Sequence, residues 1–354
     1  MRFVNVLIFF FHSVYNLFDR NNVVVYISER VDWVIKEVCL NLVKQLRERK
    51  QLPARLSYSH YFLKHKKIHF GSVNTLAPNG KLIYIHPSNK VILTWFHIEE
   101  GDTRLRLIPE MNKMVHIVHT ACFSTKKILV DSGFDEKKVI VIPLGIDTKL
   151  FVPCTEENKK NIRKKLGISH NKIVIGSFQK DGNGWKEGLD PKLIKGPDIF
   201  CDVVEKLAKK YDVHVLLTGP ARGYVKKRLN TANIKFTHTF LKHYHDVIPY
   251  YQALDLYLIT SRVEGGPMAL LEAWATGVSI ISTKVGMVLD IAVNNEDVYL
   301  VDVEDVFAIV SYAERIIESR EDRNRLTQNA LVTVRSYDWE SIAVKYYIEL
   351  YSRL

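Results

Sequence analysis

Short runs of β-branched and aliphatic residues alternate with longer amphipathic stretches from Asn22 onward. In the first part of the chain the apolar runs predict strands at residues 23–27, 91–96, 117–123 and 139–142. Between the first two strands, apolar residues recur at helical spacing over residues 32–49. Strands that alternate with helices are typical of a parallel sheet. The segment from Pro53 to Lys90 mixes Pro, Asn, Gly, His and Lys, and we expect loops there.

Turn residues and a charged stretch interrupt this pattern after residue 142. Pro143, Leu144 and Gly145 lead into a basic run at residues 156–165, which is typical of a linker. The alternation then restarts, with strands predicted at residues 173–176, 213–217, 256–259, 279–282 and 298–301 and helices at 305–320, 322–336 and 339–354. We therefore predict two doubly wound α/β domains, at residues 23–153 and 154–336, an apolar extension at 1–22 and a C-terminal helix at 337–354.

The apolar extension contains the run Val-Leu-Ile-Phe-Phe-Phe at residues 6–11, bracketed by Asn5 and His12. This run is far shorter than the roughly 20 apolar residues that a membrane span needs. A small-residue cleavage site does not follow it, which argues against a secretory signal peptide. A packed edge strand and a surface anchor both remain open.

Charge is distributed unevenly along the 354 residues. Residues 1–150 hold 22 Lys and Arg against 13 Asp and Glu, and residues 151–354 hold 28 against 26. A basic first domain suggests an anionic partner such as phosphate-bearing lipid, acidic glycan or nucleic acid, although a solvated lysine surface explains the excess as well. Nucleic acid is not expected, because no aromatic-basic motif or recognition helix accompanies the charge.

The four cysteines, at positions 39, 122, 154 and 201, lie far apart without a Cys-x-x-Cys motif. They indicate neither a disulfide framework nor a zinc site. A reducing compartment fits this pattern, so we expect a cytoplasmic protein.

The residues most indicative of chemistry directly follow the predicted strand at 256–259. This segment runs from Ser261 through Glu264, Gly265, Gly266 and Pro267 to Glu272. Glycines permit a close backbone approach, and proline suits the first turn of a helix, whose free amides bind anions. The two glutamates are placed to flank one ligand, although a helix-dipole contact and a solvated helix residue account for them equally well when they are taken alone.

Together with the Ala-Trp-Ala-Thr-Gly-Val continuation at 273–278 and the Val-Ile-Pro-Leu-Gly-Ile-Asp segment at 141–147, this loop resembles glycosyltransferase family 4 over roughly residues 115–335. The resemblance implies a GT-B fold, in which two Rossmann-like domains face each other and the C-terminal helix crosses back to the first domain. It implies an acceptor on the first domain, a nucleoside diphosphate sugar on the second, and retaining sugar transfer to a glycan, lipid-linked or other acceptor.

Carried over by position, the resemblance makes Glu264 a contact of the donor sugar and Glu272 a contact of the ribose hydroxyls. The amides of Gly265 and Gly266 would approach the diphosphate. Carboxylates accept hydroxyl hydrogen bonds well and amide dipoles suit phosphate, so the chemistry agrees with these roles.

A second candidate segment begins at Gly176 and Ser177 and ends at Lys195. The family carries an arginine after this glycine and a lysine before a later one, both of which neutralise the diphosphate. Lys195 matches, but Ser177 replaces the arginine, and an insertion at residues 181–191 separates the two halves. Lys180 offers a point charge without bidentate geometry, or is simply a surface lysine.

The resemblance also assigns roles to two residues outside these segments. Leu241 follows the short strand predicted at 234–238, where the family grips the base through backbone groups. His97 follows the strand at 91–96, where the family often places a histidine close to the donor sugar. A histidine at a strand end is usually structural, so the role of His97 depends on the resemblance.

Asp-x-Asp, the metal-binding motif of the other common transferase architecture, is absent from the sequence. The acidic residues 302–305 fit a helix N-terminus better. We therefore expect neither cofactor nor catalytic metal, only the nucleotide sugar as co-substrate. A nucleotide-sugar epimerase, a sugar phosphorylase and a non-catalytic nucleotide-sugar or glycan-binding protein remain alternatives. The basic first domain and the apolar extension suggest a peripheral position on an anionic membrane.

Overall fold

The computed structural model describes residues 2–21, 23–30 and 34–354. They form two compact units, one built from residues 1–145 and 338–354 and the other from residues 146–337. The residues at 31–33, including the predicted helix start at Asp32, lie outside the described part. Residues 146–153, which we expected in the first domain, belong to the second unit.

The first unit holds six strands and five helices in its N-terminal stretch, as far as the chain is described. The strands are β1 (Val24–Ile27), β2 (Ala54–Ser57), β3 (Lys67–Phe70), β4 (Lys90–Thr94), β5 (Ile117–Thr120) and β6 (Val139–Val141), and the helices are α1 (Arg2–Phe18), α2 (Val34–Lys50), α3 (Val73–Leu76), α4 (Ile108–Met114) and α5 (Phe123–Asp131).

These strands pair in parallel in the order β2-β1-β3-β4-β5-β6. Buried aliphatic and aromatic residues of β1, β3, β4 and β5 form its core. The expectation of loops across residues 53–90 is wrong, because β2, β3 and α3 lie there. Their strands are short, and half of β3 is polar, so the local pattern does not reveal them.

The apolar N-terminal extension forms α1 rather than an edge strand. Its polar residues Ser13 and Asn16 are buried against the segment after β2. Across the described residues, no helix has the length and apolarity that crossing a bilayer requires.

The second unit repeats the alternation of strands and helices. Its strands are β7 (Ile173–Phe178), β8 (Val213–Thr218), β9 (Lys235–Thr239), β10 (Leu256–Ile259), β11 (Ser279–Thr283) and β12 (Tyr299–Val301), and its helices are α6 (Glu156–Lys165), α7 (Pro197–Leu207), α8 (Gly223–Thr231), α9 (Ile248–Gln252), α10 (Met268–Ala275), α11 (Met287–Ile291), α12 (Val306–Glu318) and α13 (Arg320–Thr333).

All strands of the second sheet are parallel, in the order β12-β11-β10-β7-β8-β9. The chain order reverses between β10 and β7, which are central neighbours. In open parallel sheets ligands bind beyond the carboxyl ends of strands at such a switch point. The acidic run at 302–305 ends in the N-cap of α12, where the carboxylate of Asp305 accepts from the amide of Ala308.

The chain returns to the first unit through the C-terminal helix α14 (Trp339–Tyr346) and a π-helical turn, Tyr347–Tyr351. Helix α14 packs against α2, as expected for a helix that crosses back. The ring of Trp339 lies so close to Gly145 that a Cβ there would come within 2.7 Å of it.

A buried polar network connects this C-terminal segment to the first sheet. The Tyr351 hydroxyl lies 2.6 Å from Nδ1 of His69, whose Nε2 lies 2.7 Å from the Thr94 hydroxyl. That hydroxyl is 3.0 Å from Nδ1 of His119, and the Tyr346 hydroxyl is 3.1 Å from the other ring nitrogen of His119. Burial and the neighbouring His119 hold the pKa of His69 well below 6.5, and burial lowers the pKa of His119 to about 4. Both histidines are therefore neutral in the folded protein.

This network predicts acid sensitivity of the first unit. Below about pH 6.5 the unfolded chain protonates both histidines, whereas in the folded chain His119 stays neutral down to about pH 4 and the pKa of His69 is also held well below 6.5. The free energy of unfolding should therefore be fully retained above pH 6.5 and fall as the pH drops, by up to about 1.4 kcal/mol per pH unit for each histidine. Hydrogen exchange of the β3 and β5 amides at pH 7 and pH 5 measures this change in the free energy of unfolding. The exchange rates are corrected for their intrinsic pH dependence.

The matched variant is His119→Gln, which removes one titrating group. Its unfolding free energy should depend less steeply on pH than that of the wild type. If the unfolding free energy depends on pH equally steeply in both proteins, His119 does not cause the acid sensitivity.

Candidate active site

The loop that follows β10 carries Glu264, and the structure brings Lys195 to it. The Lys195 ammonium donates to Oε1 of Glu264 at 2.7 Å, and the Ser261 hydroxyl donates to the same oxygen at 2.8 Å. Both charged side chains are mostly buried. Two residues predicted from motifs far apart in sequence therefore form one ion pair at the carboxyl end of the sheet.

Close backbone packing positions Lys195. It ends a 3₁₀ turn (Leu193–Lys195) and precedes Gly196, which has a φ of +61°. A Cβ on Gly196 would lie 1.9 Å from the carbonyl oxygen of Thr260, whose hydroxyl donates to the Gly196 carbonyl at 2.8 Å. Only glycine fits both the conformation and the space.

Arg262 forms a second link between the same two loops. Its amide donates to the Ile194 carbonyl at 2.8 Å, and its guanidinium donates to both carboxylate oxygens of Asp198, at 2.9 and 2.7 Å. Although burial alone would raise the pKa of Asp198, the hydrogen bonds from Arg262 hold it below its usual value. Arg262 lies inside the predicted motif, but nothing in the sequence around Arg262 or Asp198 indicates that the two residues pair.

Glu272 is buried on α10 and is not a solvated helix residue. The Tyr244 hydroxyl donates to its Oε1 at 2.5 Å and the Tyr251 hydroxyl to its Oε2 at 2.6 Å. Burial raises the pKa of Glu272 although both tyrosines oppose this shift. Each carboxylate oxygen thus already accepts one hydroxyl group. Neither tyrosine was predicted, because only the folded chain brings the short helical segments before β10 to Glu272.

The loop containing Gly265 and Gly266 is held from the other side by the turn after β11. The amide of Met287 donates to the Gly265 carbonyl at 2.8 Å. Gly286, with a φ of +48°, lies so close that a Cβ would come within 2.5 Å of the Glu264 and Gly265 carbonyl oxygens. Pro267 precedes α10 without a side-chain capping bond. Gly265 is therefore held just before α10, and the anion site at this helix start stays a prediction.

Gly176 and Ser177 lie buried in β7. A Cβ on Gly176 would approach Leu254 to 2.4 Å, so packing already explains this glycine. The Ser177 hydroxyl accepts from the Arg222 guanidinium at 3.1 Å. An arginine thus lies beside the position where the family carries one, but it comes from the loop after β8, and sequence reasoning had not assigned it a role.

Arg222 is almost completely buried and organises its surroundings. Its Nη1 donates to the carbonyls of Ser177, Gln179 and Thr218 at 2.7, 2.9 and 2.9 Å. Its Nη2 lies 3.0 Å from a carboxylate oxygen of Asp181, which is also buried. Burial raises the pKa of Asp181, opposed by the charge of Arg222.

The insertion at residues 181–191 is an ordered loop packed over Arg222. It closes through an antiparallel bridge between Gly182 and Pro191. The Gly223 amide donates to the Glu187 carbonyl at 2.6 Å, and a Cβ on Gly188 would lie 2.2 Å from the Ala221 carbonyl oxygen. The Asp181–Arg222 pair therefore anchors the insertion at the carboxyl ends of β7 and β8.

Lys180 lies at the entrance to this insertion. Its ammonium is 4.7 Å from the ring centroid of Trp185, a cation–π contact. Burial, and then the charge of Lys192, lower its pKa. Whether it replaces the missing arginine stays a prediction.

Leu241 is half-buried just after β9. His97 belongs to the first unit, after β4, with its Nε2 3.8 Å from a carboxylate oxygen of Glu99. Their roles stay predictions. Over the described residues, no group of three or more His, Cys, Asp or Glu side chains has an arrangement suited to a metal ion.

In comparison with known proteins, residues 189–332 match the family described as Glycosyl transferases group 1. The matched region starts at the end of the insertion and includes Lys195, Glu264 and Glu272. A D-inositol 3-phosphate glycosyltransferase of Corynebacterium urealyticum is 26% identical over 322 residues, which cover 84% of this chain and 71% of that protein.

An Escherichia coli protein, UDP-Gal:alpha-D-GlcNAc-diphosphoundecaprenol alpha-1,3-galactosyltransferase, is 26% identical over 240 residues, which cover 66% of this chain but only 56% of that protein. Among solved structures, Anabaena HepE in complex with UDP and glucose superposes with a TM-score of 0.75 at 15% identity, over 94% of this chain and 99% of that one. This likeness confirms the predicted GT-B fold of Rossmann-like domains.

The buried Arg222–Asp181 pair predicts a large loss of stability when one partner is removed. Asp181→Ala leaves a buried guanidinium without its counter-charge, which typically costs about 3–5 kcal/mol. Urea denaturation measures the change. The matched control is Asp202→Ala, which breaks an exposed ion pair with Arg228 and should cost at most about 1 kcal/mol. Equal losses in both variants would contradict the anchoring role.

Proposed function

We propose that this chain, whose residues 189–332 match the group 1 glycosyltransferases, is a retaining enzyme of family 4 that transfers a sugar from a nucleoside diphosphate sugar. The observation that carries the proposal is the ion pair between a lysine and a glutamate within the matched region, on a loop that leads into the helix of a buried glutamate. Lys195 contacts Glu264 directly, and Glu272 lies on the helix that follows the same loop.

Glu272 is proposed to bind the ribose of the donor. A carboxylate oxygen has more than one lone pair, so each oxygen of Glu272 accepts further hydroxyl groups beside its tyrosine. Each oxygen accepts one tyrosine hydroxyl, and the hydroxyl groups of a ribose are donors of the same kind. The UDP in the HepE complex makes UDP the first nucleotide to test.

The diphosphate is proposed to lie between Lys195 and the amides of Gly265 and Gly266. A preorganised ammonium and backbone amides stabilise the charge that develops on a departing diphosphate. Lys180 adds a second positive charge in this proposal. We propose that these groups, without a divalent metal, neutralise the leaving group.

Glu264 is proposed to contact the donor sugar. Its hydrogen bonds from Lys195 and Ser261 orient the carboxylate. A double displacement requires a carboxylate nucleophile on the far face of the sugar. Because Glu264 is held by Lys195 and Glu272 by two tyrosines, a front-face reaction assisted by the leaving phosphate is preferred. A glycosyl-enzyme adduct found by intact-mass analysis would exclude it.

The acceptor is proposed to be a glycan or a lipid-linked glycan, bound by the first unit with His97 near the transferred sugar. The E. coli relative, which by its name acts on a diphosphoundecaprenol-linked substrate, supports a lipid-linked acceptor. The reaction is proposed to take place in the cytoplasm, since the four cysteines are free thiols.

One observation favours a second candidate, a non-catalytic nucleotide-sugar-binding protein. Ser177 replaces the arginine of the family, and the nearby Arg222 directs its donors to buried carbonyls and Asp181. Binding of the donor without turnover would support this candidate.

Removal of the Glu272 carboxylate is expected to weaken donor binding. Hydrogen bonds to a charged group contribute about 1.5–3 kcal/mol, so Glu272→Ala should raise the Kd of the cognate nucleotide roughly 10- to 100-fold. Calorimetry with UDP, GDP and ADP, with and without a chelator, measures this. Glu318→Ala, which removes an exposed carboxylate on α12, should bind normally. Chelator-sensitive binding, or binding unchanged in Glu272→Ala, would contradict the proposal.

Removal of the Lys195 charge is expected to slow transfer. Lys195→Met should lower kcat roughly 10²- to 10³-fold, because the departing diphosphate loses its main cation. Donor turnover with separate kcat and KM values is the measurement. Lys210→Met, at an exposed position beyond α7, serves as the control. A change in KM alone would show that Lys195 binds the ground state without stabilising the leaving group.

A further inference from the structure

Helix α1 is oriented with its polar side inward. The Ser13 hydroxyl lies 2.7 Å from the Ser59 hydroxyl, and the Asn16 side-chain amide donates to the carbonyls of Ser59 and Tyr61 at 3.0 and 2.9 Å. Ser13 and Asn16 are both buried. A surface helix of a globular protein normally buries its apolar side and exposes its polar side. Helix α1 does the reverse.

The opposite side of α1 is apolar and exposed. We call it the α1 face, and its members are Val6, Leu7, Phe10, Phe11, Leu17 and Phe18. Phe10 is 59% exposed, Phe11 65% and Phe18 76%. Val6, Leu7, Phe10 and Phe11 are related by intervals of three and four, and Leu17 and Phe18 follow Phe10 and Phe11 after seven residues, so all six lie on one side of the helix. A contiguous apolar stripe of this kind marks an interaction site.

The loop after β2 continues this surface. Tyr61 packs its ring edge-to-face on Phe9 at 5.4 Å, and its carbonyl accepts from Asn16. Tyr61 and Phe62 are half exposed, and Lys64 follows them as an exposed cation. Aromatic residues beside a lysine are the side chains that favour the boundary between lipid headgroups and acyl chains.

The charge around the α1 face distinguishes between a second copy of the chain and a lipid bilayer as its binding partner. Beside the α1 face, the Arg30 guanidinium lies 4.8 Å from the ring centroid of Phe9, and Lys64 is exposed in the loop after β2. On α1 itself the described residues contain no acidic group, and Asp19 just beyond it is neutralised by Arg55 at 2.6 Å. A second copy of this chain would bring like charge to the contact, whereas a bilayer with anionic headgroups complements the charge and the apolar stripe together.

We propose that the α1 face is a membrane-docking surface that inserts into the headgroup region of an anionic bilayer, with the helix lying in the plane of the interface. The apolar side chains enter the acyl boundary, and Lys64 and the neighbouring cations contact lipid phosphates. This proposal is independent of the proposed reaction, because lipid binding needs neither donor nor acceptor.

The test is flotation of the full chain with two kinds of vesicle. One contains phosphatidylcholine alone, and the other contains phosphatidylcholine with roughly 30% phosphatidylglycerol, which supplies a negative surface. Wild type should float with the anionic vesicles and bind at least tenfold less to the neutral ones. The double variant Phe10→Ser, Phe18→Ser should lose binding to anionic vesicles at least tenfold. Phe307→Ser, which removes an exposed phenylalanine of the second unit, should float like wild type.

Folding of the double variant is checked by an unchanged Tm and unchanged nucleotide binding. The proposal is overturned when wild type fails to float, when both vesicle types bind equally, or when the double variant binds like wild type. A wild-type dimer that the double variant converts to a monomer, without lipid binding by either, assigns the face to a second copy and also overturns it. A wild-type protein that floats but binds no nucleotide would instead count against the proposed reaction.

Discussion

The contact between Gly196 and the end of strand β10 fixes the candidate site. Because a Cβ at Gly196 would overlap the Thr260 carbonyl, the backbone can pass there only as glycine, and Lys195 must emerge directly beside the loop that holds Glu264. The Arg262–Asp198 pair fastens the same two loops a few ångströms away. The ammonium and the carboxylate are thus brought together before any ligand binds. Preorganised charge of this kind stabilises a departing anion without the cost of rearranging side chains during the reaction.

Buried polar groups have different roles in the two units. In the second unit three carbonyls and the Asp181 carboxylate surround the guanidinium of Arg222. In the first unit burial keeps the two histidines neutral, and their ring nitrogens contact hydroxyl groups and a backbone carbonyl. The contacts of Arg222 hold the insertion over the strand ends. Neutral histidines instead connect the C-terminal segment to the sheet, and they lower its stability in acid.

Much of this architecture follows from local patterns, and the exceptions have a common cause. The strands β7, β8, β10 and β11 are continuous apolar runs, and Lys195, Glu264 and Glu272 stand in recognisable motifs. Strand β3 was missed because its polar His69 is buried by Tyr351, which lies 282 residues away in sequence. Tyr244 and Tyr251 were missed for the same reason, since only the folded chain brings them to Glu272. Partners that are distant in sequence leave no periodic signal in either segment.

Helix α1 extends this argument to the surface. Its run of apolar residues suggests a strand or an anchor, because nothing local reveals that Ser59 and the Tyr61 carbonyl will satisfy Ser13 and Asn16. Because these polar groups are paired on the inner side of the helix, the apolar side is exposed to solvent. Intramolecular hydrogen bonds contribute modestly to stability, whereas the burial of large apolar side chains is the main driving force of folding. A helix that pairs two polar side chains and leaves its phenylalanines in water is explained when another apolar phase receives the exposed face. A bilayer would receive the exposed phenylalanines and would complement the positive charge of the basic first unit.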